Sequence, residues 1–128
     1  MNALVVDSSG WISYFAGSGH PGDIESALEE GRVRVPPIVV AELASAPLGR
    51  RRRRALESFL DDLPLCSCDL AHWLRVGQLR SRLRGRGVTV STPDAHVAQC
   101  AIDLGAELLT EDAIFGLVAR HAALRLLR

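Results

Sequence analysis

Four acidic residues stand where a strand-and-helix chain could bring them to one place. Asp7 follows directly on the apolar run Ala3-Leu4-Val5-Val6, Asp94 lies in Thr92-Pro93-Asp94, and Asp112 comes two residues after the segment Glu107 to Thr110. Each aspartate has an ordinary explanation. Helix N-termini favour aspartate because its carboxylate accepts free backbone N–H groups and meets the positive end of the helix dipole. Glu42 is harder to explain in that way. It sits in Ile38-Val39-Val40-Ala41-Glu42-Leu43-Ala44, with apolar or small residues on every side. That setting predicts a buried carboxylate, which is costly unless an arginine or a cation pairs with it. The alternative is a place on the outer edge of its helix. Carboxylates that converge repel one another and raise each other's pKa unless a hard dication holds them. Mg²⁺ or Mn²⁺ takes oxygen ligands, keeps several waters and makes one of them more acidic. Such a site hydrolyses phosphodiesters without a histidine base.

Short apolar runs alternate with helical patterns along the chain. Strands are expected at residues 3–6, 32–35, around Leu65-Cys66, at Glu107 to Thr110 and at Leu124 to Leu127. Val88-Thr89-Val90 is too brief to assign. Helices are expected from Ser8 to the glycines at 17 and 19, over 22–31, from Pro36-Pro37, over 49–63 and over 69–85. Two more run from Thr92, as N-cap, to Gly105 and from Asp112 to His121. Strands alternating with helices indicate a mainly parallel sheet of four or five strands, covered on both faces in an α/β/α arrangement. With 128 residues there is room for one domain, and with aromatic residues at 5% its core must be built from Ala, Leu and Val. In open parallel sheets, ligands bind beyond the carboxyl ends of the strands, which is where Asp7 and Asp112 fall.

The charge pattern removes several chemistries. The fifteen basic residues are all arginine, balanced by fifteen acids, and there is no lysine. A Walker A phosphate loop and Schiff-base catalysis both need one. Phospho-receiver and haloacid-dehalogenase sites also use a lysine, and the latter wants an acid where Ser9 stands. Gly17-Ser18-Gly19-His20-Pro21-Gly22 matches the spacing of a dinucleotide loop, but it follows a helix instead of a strand and reads as a turn. Residues 50–86 hold ten arginines against Glu57, Asp61, Asp62 and Asp69, a surplus of six positive charges. The run Arg50 to Arg54 must encircle its helix and reads as a solvated helix start. In the next helix Trp73, Val76, Leu79 and Leu83 form a stripe expected to pack inward. Arg75, Arg82 and Arg86 flank that stripe and are candidates for contact with RNA or a partner. Cys66-Ser67-Cys68 and His72 offer three soft ligands with no evident fourth, so no zinc site is expected, and His20, His96 and His121 carry no telling spacing. Three cysteines without framework spacing suggest reduced thiols in the cytoplasm. The first apolar stretch has no basic residue before it and is broken by Asp7, so neither a secretory signal nor a membrane span is expected.

Taken in order, Asp7 after a short apolar strand, Glu42 in the third helix, Pro93-Asp94-Ala95 opening a small-residue helix, and Leu108-Leu109-Thr110-Glu111-Asp112 before Phe115 resemble a PIN domain. Within that family the chain is similar to the toxins of bacterial VapBC-type toxin–antitoxin pairs. The resemblance implies a PIN-like fold over 1–128 and a metal-dependent endoribonuclease that leaves 5′-phosphates. It implies that Asp7, Glu42, Asp94 and Asp112 hold Mg²⁺ or Mn²⁺, supported by Ser9 and Thr110. It further implies a cognate antitoxin and a homodimer. Trp11, Phe15 and Trp73 are large apolar residues in a chain with few, and core packing is expected for each, with an interface role for one of them as the alternative. Many relatives carry a further acid where this chain has Ile114, so a single metal ion is expected. The rival is a PIN-like module retained only for binding.

Overall fold

Parallel strands covered on both faces read as nearly continuous apolar runs, and the two best runs here become the two central strands. The computed structural model describes residues 2–127. β1 (Leu4–Val6) pairs in parallel with β3 (Glu107–Leu109), Leu4 facing Glu107 and Val6 facing Leu109. β2 (Val33–Arg34) flanks β1 and β4 (Arg125–Leu126) flanks β3, so the sheet has four parallel strands in the order β2-β1-β3-β4. The strand expected at Leu65-Cys66 reduces to one parallel bridge from Leu65 to Val35. Val88-Thr89-Val90 forms no strand; Val88 and Val90 are buried, and the Val90 carbonyl accepts a hydrogen bond from Arg80 Nε at 2.9 Å.

Among the described residues seven helices complete a three-layer α/β/α domain: α1 (Ser8–Phe15), α2 (Pro21–Glu29), α3 (Pro37–Ala44), α4 (Arg50–Asp61), α5 (Leu70–Gly85), α6 (Thr92–Leu104) and α7 (Ile114–His121). Among the described residues no helix is long and apolar enough to cross a membrane. α6 is the central helix. Residues 95–101 are all buried, as small residues on every face permit, and α6 packs against α5, α3, α7 and both central strands. Its N-cap is Ser91, one residue before the expected Thr92, because Ser91 has extended backbone and its hydroxyl accepts the Asp94 N–H at 3.2 Å. Asp94 thereby takes the third helical position, where an acid can answer its own cap.

α5 turns its inward stripe by one residue from the expected one. His72, Val76, Leu79 and Leu83 are buried, whereas Trp73 is 42% exposed. The inward residues follow i, i+4, i+7, i+11, the helical repeat, and polar partners make room for His72 in the interior.

α1 crosses the seam between the central strands at Gly10. A Cβ there would lie 2.7 Å from Val6 Cγ1 and 3.1 Å from the Leu109 carbonyl oxygen. Gly10→Ala is therefore expected to destabilise the fold by about 1–3 kcal/mol, the cost of overpacking, read as a lower urea midpoint at unchanged slope.

Candidate active site

The strand order fixes where a ligand site can form. From β1 the chain goes first to β2 on one side and later to β3 on the other, so the order reverses between β1 and β3. A crevice opens beyond their carboxyl ends at such a point. Asp7 is the first residue past β1, and Thr110 the first past β3.

Asp7 is 6% exposed and caps α1 as its type predicts, accepting the Gly10 N–H on Oδ1 at 2.9 Å. Capping accounts for only one of its bonds. Ser9 Oγ donates to Oδ1 at 2.7 Å, and Thr110 Oγ1 donates to Oδ2 at 2.6 Å. Both hydroxyls then accept backbone N–H groups from the turn after β3: Ser9 from Glu111 at 3.0 Å and Thr110 from Asp112 at 3.0 Å. Their protons are committed to Asp7, which fixes the plane of its carboxylate. Through these bonds Ser9 and Thr110 join the ends of β1 and β3.

Glu42 corrects an expectation. It is exposed, because the short α3 buries only Val39 and Leu43, an i, i+4 pair, and leaves Glu42 on the outer side. Its Oε1 accepts a hydrogen bond of 2.6 Å from Ser8 Oγ in the first turn of α1. Ser8 was not singled out in the sequence, although it follows Asp7 directly. Asp94, at the start of α6, is half-buried. Burial pushes its carboxyl above the usual range, the Ser91 hydroxyl pulls it back, and the charges of Asp112, Glu42 and Asp7, in that order, raise it further. All three other acids thus lie within electrostatic reach of Asp94. Asp112 is exposed and accepts the Ile114 N–H on Oδ1 at 3.1 Å, closing the turn into α7. Two residues beyond Asp112, Ile114 packs against the core.

The arginines behave differently from one another. Arg75 is held by Asp103 through Nε at 3.1 Å and Nη2 at 2.9 Å. Arg75 and Arg82 line a 550 Å³ cavity with Gln78, Ser81 and Gln99, a set that includes none of the four acids. Arg86 is exposed at the C-cap of α5. In the run from Arg50 to Arg54, four side chains are exposed, while Arg53 donates to the Ala44 and Ala46 carbonyls at 2.9 and 3.0 Å.

A second depression is apolar. α1, α3 and α4 bound a 680 Å³ groove that includes Ile12, Phe15, Leu43, Leu56 and Phe59, with Arg52 on its lining. Ile12 is 60% and Phe15 49% exposed, whereas Trp11 is fully buried beneath them and Phe15 stacks on it at 5.9 Å.

Known proteins share both the chain and this architecture. The chain is 28% identical over 123 residues to VapC ribonuclease Mb1587 of Mycobacterium bovis, covering 91% of this chain and 92% of the relative. Ribonuclease VapC11 of Mycobacterium tuberculosis matches to the same extent. The fold superposes on a DNA-bound VapBC structure from Salmonella typhimurium with a TM-score of 0.80 at 22% identity, over 99% of this chain and 98% of that one. VapBC2 from Rickettsia felis, also with DNA, gives 0.77 at 21% identity over 98% and 97%. The family model of the PIN domain matches residues 4–121, a span that takes in both central strands, the crevice between them and all four acids. With that match across nearly its whole length, the chain belongs to the PIN domain family.

Proposed function

We propose that this protein is a Mg²⁺- or Mn²⁺-dependent endoribonuclease, the toxin of a toxin–antitoxin pair, acting in the cytoplasm. The reading is carried by the position of Asp7 just past β1, Asp112 just past β3 and Asp94 at the start of α6, where burial and the charges of Asp112, Glu42 and Asp7 push the Asp94 carboxyl up. The relatives named as ribonucleases give it its substrate class. An all-oxygen donor set suits a hard dication, and a raised carboxyl amid like charges is what a bound cation relieves. In this reading Asp7, Glu42 and Asp94 hold the ion, and Asp112 either joins them or orients the attacking water. When bound, Mg²⁺ or Mn²⁺ supplies Lewis-acid stabilisation of the charge that builds on the scissile phosphate. Ser9 and Thr110 hold the Asp7 carboxylate in one plane, and Ser8 holds Glu42 towards α1. Purified protein is expected to cut RNA from a total tRNA and rRNA pool, leaving 5′-phosphates. EDTA should stop cleavage and excess Mg²⁺ should restore it. A folded sample that cuts no RNA with either ion overturns the reading.

The antitoxin belongs in the groove between α1 and α4, whose exposed Ile12 and Phe15 are apolar anchors beside a cationic Arg52. VapBC complexes among the structural neighbours support this choice of occupant. Ile12→Arg is expected to weaken antitoxin binding by about 2 kcal/mol, roughly 30-fold in Kd, as loss of an interface hot spot does. Titration of the toxin with its co-encoded partner measures it. A homodimer is part of the same reading; outside the groove, Leu70 and Leu74 on the outer face of α5 are the most exposed of the large apolar residues described.

A further inference from the structure

The tightest cluster of potential metal ligands lies away from the carboxylates. Cys68 lies two residues ahead of α5, His72 is in its first turn, and His96 and Cys100 stand four apart on α6, in mirrored order. His96 and Cys100, at i and i+4, share one face of α6, while Cys68 approaches from the segment that leads into α5. The four ligand atoms all lie within 4.8 Å of one another. His72 Nε2 is 2.8 Å from His96 Nδ1, and Cys100 Sγ is 4.0 and 3.9 Å from the two nitrogens of His96. Four ligands around a tetrahedral zinc ion stand about 3.3–3.8 Å apart, given the usual bond lengths. The observed spacings bracket that range.

The surroundings are those of a built site. His72 Nδ1 lies 3.2 Å from Asp103 Oδ2, so its N–H can donate to the carboxylate and leave Nε2 free to point inward. A carboxylate behind a ligating imidazole is the usual way of fixing its tautomer. Asp103 is itself fixed by the two bonds from Arg75 and by Gln99 Nε2 at 2.8 Å. Trp73 lies flat over the His96 ring, with centroids 4.6 Å apart and planes 10° from parallel. His72, His96 and Cys100 are buried, and Cys68 is half-buried at the rim.

We propose that Cys68, His72, His96 and Cys100 form a closed zinc site that bolts the start of α5 to α6. Two thiols and two imidazoles are soft donors that select zinc over Mg²⁺, and a full set of four protein ligands leaves no open position for chemistry. On binding, both thiols lose their protons to solvent, so the dication and two thiolates sum to a neutral centre within the core. The site is separate from the carboxylates. Around α6, His96 and Cys100 lie about 200° and 240° from Asp94, on the face turned to α5. Cys66, whose carbonyl accepts a hydrogen bond from Cys68 Sγ at 3.5 Å, lies outside the ligand set.

The test uses full-length protein kept reduced with a phosphine, its metal content read by mass spectrometry. One zinc per chain is expected. Removal by a zinc-selective chelator should lower the melting temperature, and added zinc but not Mg²⁺ should restore it. Cobalt in place of zinc should show a thiolate-to-metal charge-transfer band and the strong visible absorption of a tetrahedral ion. Cys68→Ser and Cys100→Ser should lose bound zinc while Cys66→Ser and His20→Ala keep it, and Asp103→Asn should bind about 10–100-fold more weakly. If Cys100→Ser fails to fold by circular dichroism, the rim variant Cys68→Ser and the wild-type cobalt spectrum decide. The proposal is overturned if reduced wild-type protein takes up no zinc, if cobalt binds without the charge-transfer band, or if Cys68→Ser holds zinc as tightly as wild type. None of these readouts depends on RNA cleavage.

Discussion

Asp94→Asn is expected to lower RNA cleavage by at least about a hundredfold, more than the loss of a supporting residue behind a metal ligand usually costs, while the fold persists. The same substitution should raise the melting temperature when no divalent ion is added. Asp94 is half-buried and bears the repulsion of Asp112, Glu42 and Asp7, so a neutral side chain of the same shape relieves the cluster. Ser91 still caps α6, because its hydroxyl accepts the Asp94 backbone N–H, which the substitution leaves in place. Mg²⁺ should then stabilise wild type in a thermal melt and leave the variant unchanged. Opposite movements of stability and activity are the mark of a group retained for its charge. A variant that cleaves RNA within tenfold of wild type removes Asp94 from the site, and one that also keeps antitoxin binding with no cleavage in either protein returns the fold to a binding module.

Asp7→Ala should produce the largest loss of stability among the four acids. Its carboxylate accepts from Gly10 N, Ser9 Oγ and Thr110 Oγ1, and its removal takes away the α1 cap and strands three donors next to the core. A lost cap costs about 1 kcal/mol and each stranded buried donor about 1 more, so a total of about 2–4 kcal/mol is expected, near 10 °C in melting temperature for a domain of this size. Asp7→Asn retains an acceptor for two of the donors and should lose far less stability while losing as much activity. Glu42→Gln, on an exposed residue, should barely move the melt. If Asp7→Ala melts with wild type, the hydrogen bonds that join β1 to β3 carry no weight.

What could be read from the residues follows from the range of the interactions involved. Asp7, Asp94 and Asp112 mark element boundaries that local pattern reveals, and a parallel sheet forces such boundaries towards one edge. Glu42 stands out in the sequence because its apolar neighbours suggest burial, but α3 buries only Val39 and Leu43 and leaves Glu42 exposed. Ser8 reads as an ordinary helix start, because it is the first of two serines that follow the Asp7 cap. The His72-His96 contact was illegible from either helix alone, since it depends on which face of α5 meets α6. Its one trace in the chain is the mirrored spacing of Cys68-His72 and His96-Cys100, which becomes meaningful only once the two helices are known to pack. Trp73 misled for the same reason: as the largest apolar residue nearby it claimed the inward stripe, which His72 occupies with the help of Asp103.

The bond between Thr110 and Asp7 spans 103 positions of the chain, and it sets a timetable for the molecule during its own synthesis. Every side chain of the apolar groove lies between Ile12 and Phe59, whereas the carboxylate cluster waits for Asp94, Thr110 and Asp112. At roughly 5–20 residues per second, several seconds pass between the emergence of the one set and the other. The surface through which the protein would be restrained is thus translated ahead of the residues that would make it dangerous. If the groove takes the antitoxin as proposed, a cell making both partners together would have that interval in which to put the brake on first.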